Sequence, residues 1–197
     1  MKTIRYAAWA AVAILIAAVS VVMIRGGPDF PKKLTAIAQI GGPFELTTHE
    51  GKRLSSAELK GTPFAIFFGF TFCPDVCPTT MLELTNVLKR LGSDADRMRY
   101  FFVSVDTERD SPDHLKLYLS NFDTRIMGLT GTAAEIAAIA KAYRAYYEKV
   151  PTKDGFTYNH TALIYLMGRD GSLVSTIAYQ EKEDTQVDKL RRLIAKP

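Results

Sequence analysis

The chain's two cysteines, Cys73 and Cys77, stand four residues apart in Phe72-Cys73-Pro74-Asp75-Val76-Cys77-Pro78, where an apolar strand-like run gives way to a helix-like one. Positions i and i+4 of a helical turn share a face, with Cβ atoms about 5–6 Å apart, so sulfurs at this spacing can point at one ion. Unpaired backbone N–H groups and the positive end of a helix dipole favour thiolate over thiol at a helix start, which predicts reactive cysteines. Dithiol exchange enzymes usually carry Cys-x-x-Cys; here three residues intervene, a spacing that favours chelation and still allows a disulfide. A disulfide with a purely structural purpose would remove little loop-closure entropy over so short a span.

Three histidines are available as further donors. His49 lies in the polar turn Thr47-Thr48-His49-Glu50-Gly51-Lys52 and is expected in a solvated loop; His114 lies off the apolar stripe of Leu115, Tyr118, Leu119 and Phe122 and is expected at the surface. His160 directly precedes the apolar run Ala162-Leu163-Ile164-Tyr165-Leu166-Met167. A lone histidine there is ordinarily a core or strand-edge residue, but if that run lies beside the strand ending near Phe70, His160 approaches the cysteine loop. Two thiolates and one imidazole suit copper, Cu(I) in particular, better than magnesium or calcium. Structural zinc prefers four protein ligands and would need one from outside. Met81, one turn beyond Cys77, is read as core filler rather than a ligand. Asp106, at the end of an apolar strand, is read first as a brace for the following turn with Arg109 and Asp110, and Asp75 as an acceptor for loop N–H groups.

The elements that must place these residues follow from periodicity. Residues 63–72 are too continuously apolar for a half-solvated strand and read as a central one. Leu84, Val87, Leu88 and Leu91 then repeat at helical spacing, with Pro78 suited to a helix start and Thr80 with Glu83 spaced as a capping box. Residues 100–106 form a third buried-type segment, followed by a helix with Ser111 at its cap and Pro112 at its first position. Thr132 and Glu135 are spaced as a second capping box, before Ile136, Ile139, Ala140 and Tyr143. Residues 161–167 and 172–179 around Gly168-Arg169-Asp170-Gly171 read as a hairpin, and 184–195 as a final helix. The sum is an α/β chain of βαβαββα order without internal repeats or low-complexity tracts.

Three stretches together resemble the Sco/SenC family: Phe-Cys-Pro-Asp-Val-Cys-Pro at 72–78, Ser-Val-Asp-Thr-Glu-Arg-Asp-Ser-Pro at 104–112 and Asn-His-Thr at 159–161. The resemblance runs in order from about Phe44 to the C-terminus. It implies a thioredoxin-like fold, a central mixed sheet flanked by helices, behind an N-terminal membrane anchor. It also implies that Cys73, Cys77 and His160 bind copper for delivery to the binuclear copper site of a haem–copper cytochrome oxidase; the expected ion is Cu(I), with Cu(II) left open beside it. Asn159 stands where the family commonly has Asp, and Thr107 where it commonly has Pro.

Residues 7–24 are apolar except for Ser20, long enough to cross a bilayer of about 30 Å, and follow Lys2 and Arg5. The expected organisation is a transmembrane anchor at 1–25, a tether at 26–42 broken by Gly26-Gly27-Pro28 and Pro31, and a copper-binding domain at 43–197. A cleaved signal peptide competes with the anchor, Ala18-Val19-Ser20 being a small-x-small site, although the apolar stretch is long for one. The expected location is the inner (plasma) membrane, crossed once, with the domain on the extracytoplasmic side. A net charge of +4, densest at Lys189, Arg191 and Arg192, gives no nucleic-acid stripe, and none is expected as a partner. The expected partners are the copper-site subunit of an oxidase, a thiol reductant and the membrane. Two function classes use the same cysteines: a copper carrier, and a thiol–disulfide oxidoreductase acting on partner cysteines. Catalytic thioredoxin-like proteins commonly place a cis-proline where this chain has His160-Thr161, which favours the carrier. A carrier whose ligands oxidise to a disulfide must be re-reduced, which is why a reductant belongs among its partners.

Overall fold

The computed structural model describes residues 9–10, 12–17, 20–21 and 40–196. The chain divides into two compact units, Met1–Gln39 and Ile40–Pro197. Most of the expected anchor and tether lie outside the described residues; those described between 9 and 21 are helical, and no helix among the described residues is long and apolar enough to cross a membrane.

The expected central strand is β3, Phe64–Gly69, buried at every position. Strands β1 (Glu45–Thr48) and β2 (Arg53–Ser55) precede it, and α1 (Val76–Leu91) follows it. Then come β4 (Arg99–Ser104), α2 (Pro112–Leu119), β5 (Ile126–Thr130) and α3 (Ala133–Tyr143). The chain ends with β6 (Tyr147–Thr152), β7 (Gly155–His160), β8 (Leu163–Met167), β9 (Leu173–Ala178) and α4 (Glu183–Ala195). Seven strands form one mixed sheet in the order β2-β1-β5-β4-β3-β8-β9. Strands β3, β4 and β5 run parallel, as helical crossovers require, while β8 runs antiparallel to β3.

That antiparallel register matters most for the site. Ile164 pairs with Phe67 and Met167 with Phe64, so β8 begins beside the end of β3, where the cysteine loop leaves the sheet. The proximity expected for His160 is therefore built into the topology. Helix α1 packs one stripe, Met81, Leu84, Val87, Leu88 and Leu91, into the core, and Met81 is fully buried filler as expected. Ser111 caps α2 with Pro112 in its first turn, and Thr132 with Glu135 forms the expected capping box on α3.

Two expectations are corrected. Helix α1 starts at Val76 rather than Pro78, and the Thr80–Glu83 box does not form, because Thr80 lies inside the helix and donates its hydroxyl hydrogen to the Val76 carbonyl at 2.7 Å. Pro78 is tolerated as the third helical residue because a first-turn N–H has no intrahelical acceptor. The second correction is to the strand count: β1, β2, β5 and the separate two-stranded sheet β6-β7 are all absent from the βαβαββα order. The β6-β7 register pairs Thr152 with Gly155 across a Lys153-Asp154 turn, and Gly155 takes a φ of +132°. Asp154-Gly155 was a hairpin signal available in the sequence.

Candidate metal centre

Cys73, Cys77 and His160 come together from two distant parts of the chain, their donor atoms all within 4.8 Å of one another. Among the described residues no other group of three such side chains does so. The Cys77 sulfur lies 3.4 Å from His160 Nε2, and the Cys73 sulfur 4.0 Å from the same nitrogen. Both cysteines are free thiols, Cys73 half-buried and Cys77 wholly buried.

Each donor is aimed by its own element. Asp75 occupies the N-cap position of α1 without a side-chain capping bond, and the Cys73 sulfur serves instead, accepting the Cys77 backbone N–H at 3.3 Å. A negative sulfur is favoured there because first-turn amides have no intrahelical acceptor and the helix dipole is positive at that end. The Cys73 pKa is accordingly lowered to about 4, chiefly through the hydrogen bond with the Cys77 side chain, with His160 and backbone N–H groups helping and partial burial opposing. Burial pushes the Cys77 pKa the other way, and the neighbouring Cys73 adds to the rise. The pair therefore holds one proton over the neutral range, on the inner sulfur.

His160 ends β7, and its Nδ1 lies 3.2 Å from the Thr161 carbonyl, which can only accept. Nδ1 therefore carries hydrogen, and the Nε2 lone pair faces the sulfurs. The rings of Phe67 and Phe70 stand edge-on to the imidazole at 5.8 and 5.7 Å and fix its plane.

The remaining candidates fall outside the triad. Asp106, 0% exposed, accepts from the backbone N–H of Glu108 and of Arg109 and from Arg109 Nε; it is the brace expected. Asp110 takes the Thr71 N–H at 2.9 Å and the Thr71 hydroxyl at 2.6 Å, and Ser104 also donates to it, so a buried carboxylate ties down the loop two residues before Cys73. Asp75 accepts from the Thr79 hydroxyl at 3.3 Å. His49 corrects the expectation of a solvated loop residue: it is partly buried, and its Nδ1 accepts the Gly128 N–H at 2.8 Å, fastening the β1–β2 turn to β5. His114 is half-buried rather than exposed, its ring 5.0 Å from that of Phe72. Sequence reasoning missed Gly69, where a Cβ would stand 2.8 Å from the Cys77 sulfur. It also missed the aromatic residues Phe156 and Tyr158 of the unforeseen hairpin.

A sequence model of the SCO1/SenC family matches residues 32–195. Over 148 residues the chain is 36% identical to human "Protein SCO1 homolog, mitochondrial", covering 73% of this chain and 49% of that one. The chain spans about half the length of the first curated relatives it matches. Among solved structures, Bradyrhizobium japonicum ScoI with copper bound shares 51% identity at a TM-score of 0.74, covering 78% of this chain and 99% of that one. BsSco, described as a member of the Sco family of cytochrome c oxidase assembly proteins and as holding a disulfide switch, shares 26% identity at a TM-score of 0.66, covering 81% and 96%.

Proposed function

Because the chain belongs to the SCO1/SenC family, we propose that it is a copper carrier that holds one copper ion between Cys73, Cys77 and His160 and delivers it to the binuclear copper site of a cytochrome oxidase. The observation that carries this reading is the donor set: two sulfurs and an imidazole lone pair within 4.8 Å, with the imidazole tautomer set by the Thr161 carbonyl. Soft thiolates with one imidazole suit Cu(I), and three donors leave room for an acceptor's ligand to enter before the carrier's ligands leave. The half-buried Cys73 is the sulfur a partner reaches first; Cys77 stays inside. In this reading residues 7–24 anchor the chain in the membrane and the domain faces the extracytoplasmic side, where the copper-site subunit of the oxidase is its partner.

A second reading rests on the lowered pKa of Cys73. An accessible thiolate four residues from a thiol can attack a partner's disulfide. The partner leaves with two thiols, and Cys73 and Cys77 close into a disulfide that a thiol reductant must reopen. Carrier and oxidoreductase separate experimentally. The reduced chain, loaded anaerobically, is expected to bind one Cu(I) tightly and to lose affinity as Cys73→Ala, Cys77→Ala or His160→Ala. Deleting the gene is expected to lower oxidase copper content and activity, with partial rescue by added copper. Unchanged affinity in His160→Ala, together with full support of oxidase assembly by that variant, would replace the carrier with the oxidoreductase.

A further inference from the structure

His160 sits at the end of a hairpin whose two strands pair only with each other among the described residues, apart from the seven-stranded sheet that carries the cysteine loop. A two-stranded hairpin by itself is marginal in water. The distance between imidazole and sulfurs therefore depends on what docks the hairpin. Tyr158 packs on Phe70 at 5.4 Å, and Lys149 lies 3.7 Å from the Phe156 ring centre while pairing with Glu108 at 2.6 Å.

The densest connection is Arg109. Its guanidinium carbon lies 3.9 Å from the ring centre of Phe156, on the hairpin, and 4.6 Å from that of Phe72, the residue before Cys73. Its Nη1 donates to the Phe156 carbonyl at 3.1 Å, and its Nε to the fully buried Asp106, two residues beyond the end of β4. One planar cation thus touches the hairpin that ends in His160, the loop that carries Cys73 and the strand end behind both. Its Nη2 is buried without a hydrogen-bond partner, so this position serves the two ring contacts at the expense of a donor. Lysine offers neither the plane nor the fork.

We propose that Arg109 is a positioning residue of the site: by clamping Phe156 against Phe72 it docks the β6-β7 hairpin and holds His160 over the two sulfurs. The proposal rests on the reading of His160 as a copper ligand. Residues that orient a ligand without touching the metal typically change metal affinity by about 10–100-fold.

The test uses the full chain, reduced, with two readouts. Without metal, hydrogen–deuterium exchange of Arg109→Ala is expected to accelerate over residues 147–160 while β3 and β4 keep wild-type protection. With Cu(I), competition against a chromophoric chelator is expected to show a loss of about 10–100-fold, and X-ray absorption a weakened copper–nitrogen contribution. In the double variant with His160→Ala the two losses are expected not to add, since both act through one ligand. Arg109→Lys is expected to recover only part of the affinity. If Arg109→Ala fails to fold, Phe156→Leu carries the same expectations while leaving the Asp106–Arg109 pair in place. Wild-type exchange in the hairpin, wild-type copper affinity, or a loss fully additive with that of His160→Ala overturns the proposal. Failure of the underlying reading would show separately, as a wild-type chain that binds Cu(I) without a nitrogen donor.

Discussion

Gly69→Ala places a methyl group where the structure has no room for one. A Cβ there would stand 2.7 Å from a Phe67 ring carbon, 2.8 Å from the Cys77 sulfur and 3.1 Å from a Phe102 ring carbon. All three neighbours are at most 1% exposed, so none is a loose surface chain that can swing away. Non-bonded carbon contacts are optimal at about 3.5–4.0 Å, which requires the sulfur to retreat by about 0.7 Å or the strand to shift by a similar amount. Overpacking of this kind costs about 1–3 kcal/mol. At roughly 2–4 °C per kcal/mol for a domain of this size, the melting temperature should fall by roughly 2–12 °C. A ligand set tolerates displacements of only about 0.5 Å, so Cu(I) affinity should also drop, by about tenfold or more. Calorimetric unfolding gives the first quantity and anaerobic competition the second. Cys77→Ala removes the sulfur that the methyl meets, so the stability penalty of Gly69→Ala should shrink in that background. A Gly69→Ala chain with wild-type melting temperature and copper affinity would refute the reasoning that β3 ends in glycine to seat the Cys77 sulfur.

Three further outcomes follow from the same geometry. With the Cys73 pKa near 4 and that of Cys77 raised, iodoacetamide at about pH 6 should modify Cys73 alone in the folded metal-free chain; equal labelling by mass spectrometry would contradict the assignment. Because Cys73 is already ionised at neutral pH, Cu(I) uptake should release about one proton, that of Cys77, and affinity should fall about tenfold per pH unit on acidification. Below the Cys73 value of about 4 a second thiolate proton must also be displaced, and titration calorimetry in buffers of different ionisation enthalpy counts the protons, two at neutrality being the contrary result. Asp110→Asn sets amide hydrogens against the Thr71 and Ser104 donors and should lower stability by about 1–3 kcal/mol in urea unfolding, with a parallel loss of Cu(I) affinity because Thr71 precedes Cys73 by two residues.

The residue types of the donor set were legible from the chain alone. Two cysteines four residues apart beside a buried strand point to a shared chemistry, although Cys73 precedes α1 and it is the Cys77 N–H bond to its sulfur, not a full helical turn, that ties it to Cys77. The buried strands and the Ser111 and Thr132 caps are equally local: they depend on runs of residues and on side chains reaching backbone three residues away. The Thr80–Glu83 spacing shows the limit of such reasoning, since a capping box forms only if the helix starts there, and the Cys73 sulfur already takes up the first-turn amide of Cys77, three residues before Thr80.

What only the tertiary structure decided is everything that depends on two distant segments meeting. That His160 faces the sulfurs follows from β8 lying antiparallel to β3, a register set by packing across the sheet and carried by no local spacing. The opposite pKa shifts of Cys73 and Cys77 arise because the half-buried sulfur is hydrogen-bonded by the Cys77 side chain, His160 and backbone N–H groups while the other is enclosed, a difference the sequence cannot express for two residues of one type. Arg109 belongs to the same class. Its side chain joins a loop, a strand end and a hairpin that are far apart in the chain, and charge and ring planes act on whatever the fold brings within a few ångströms.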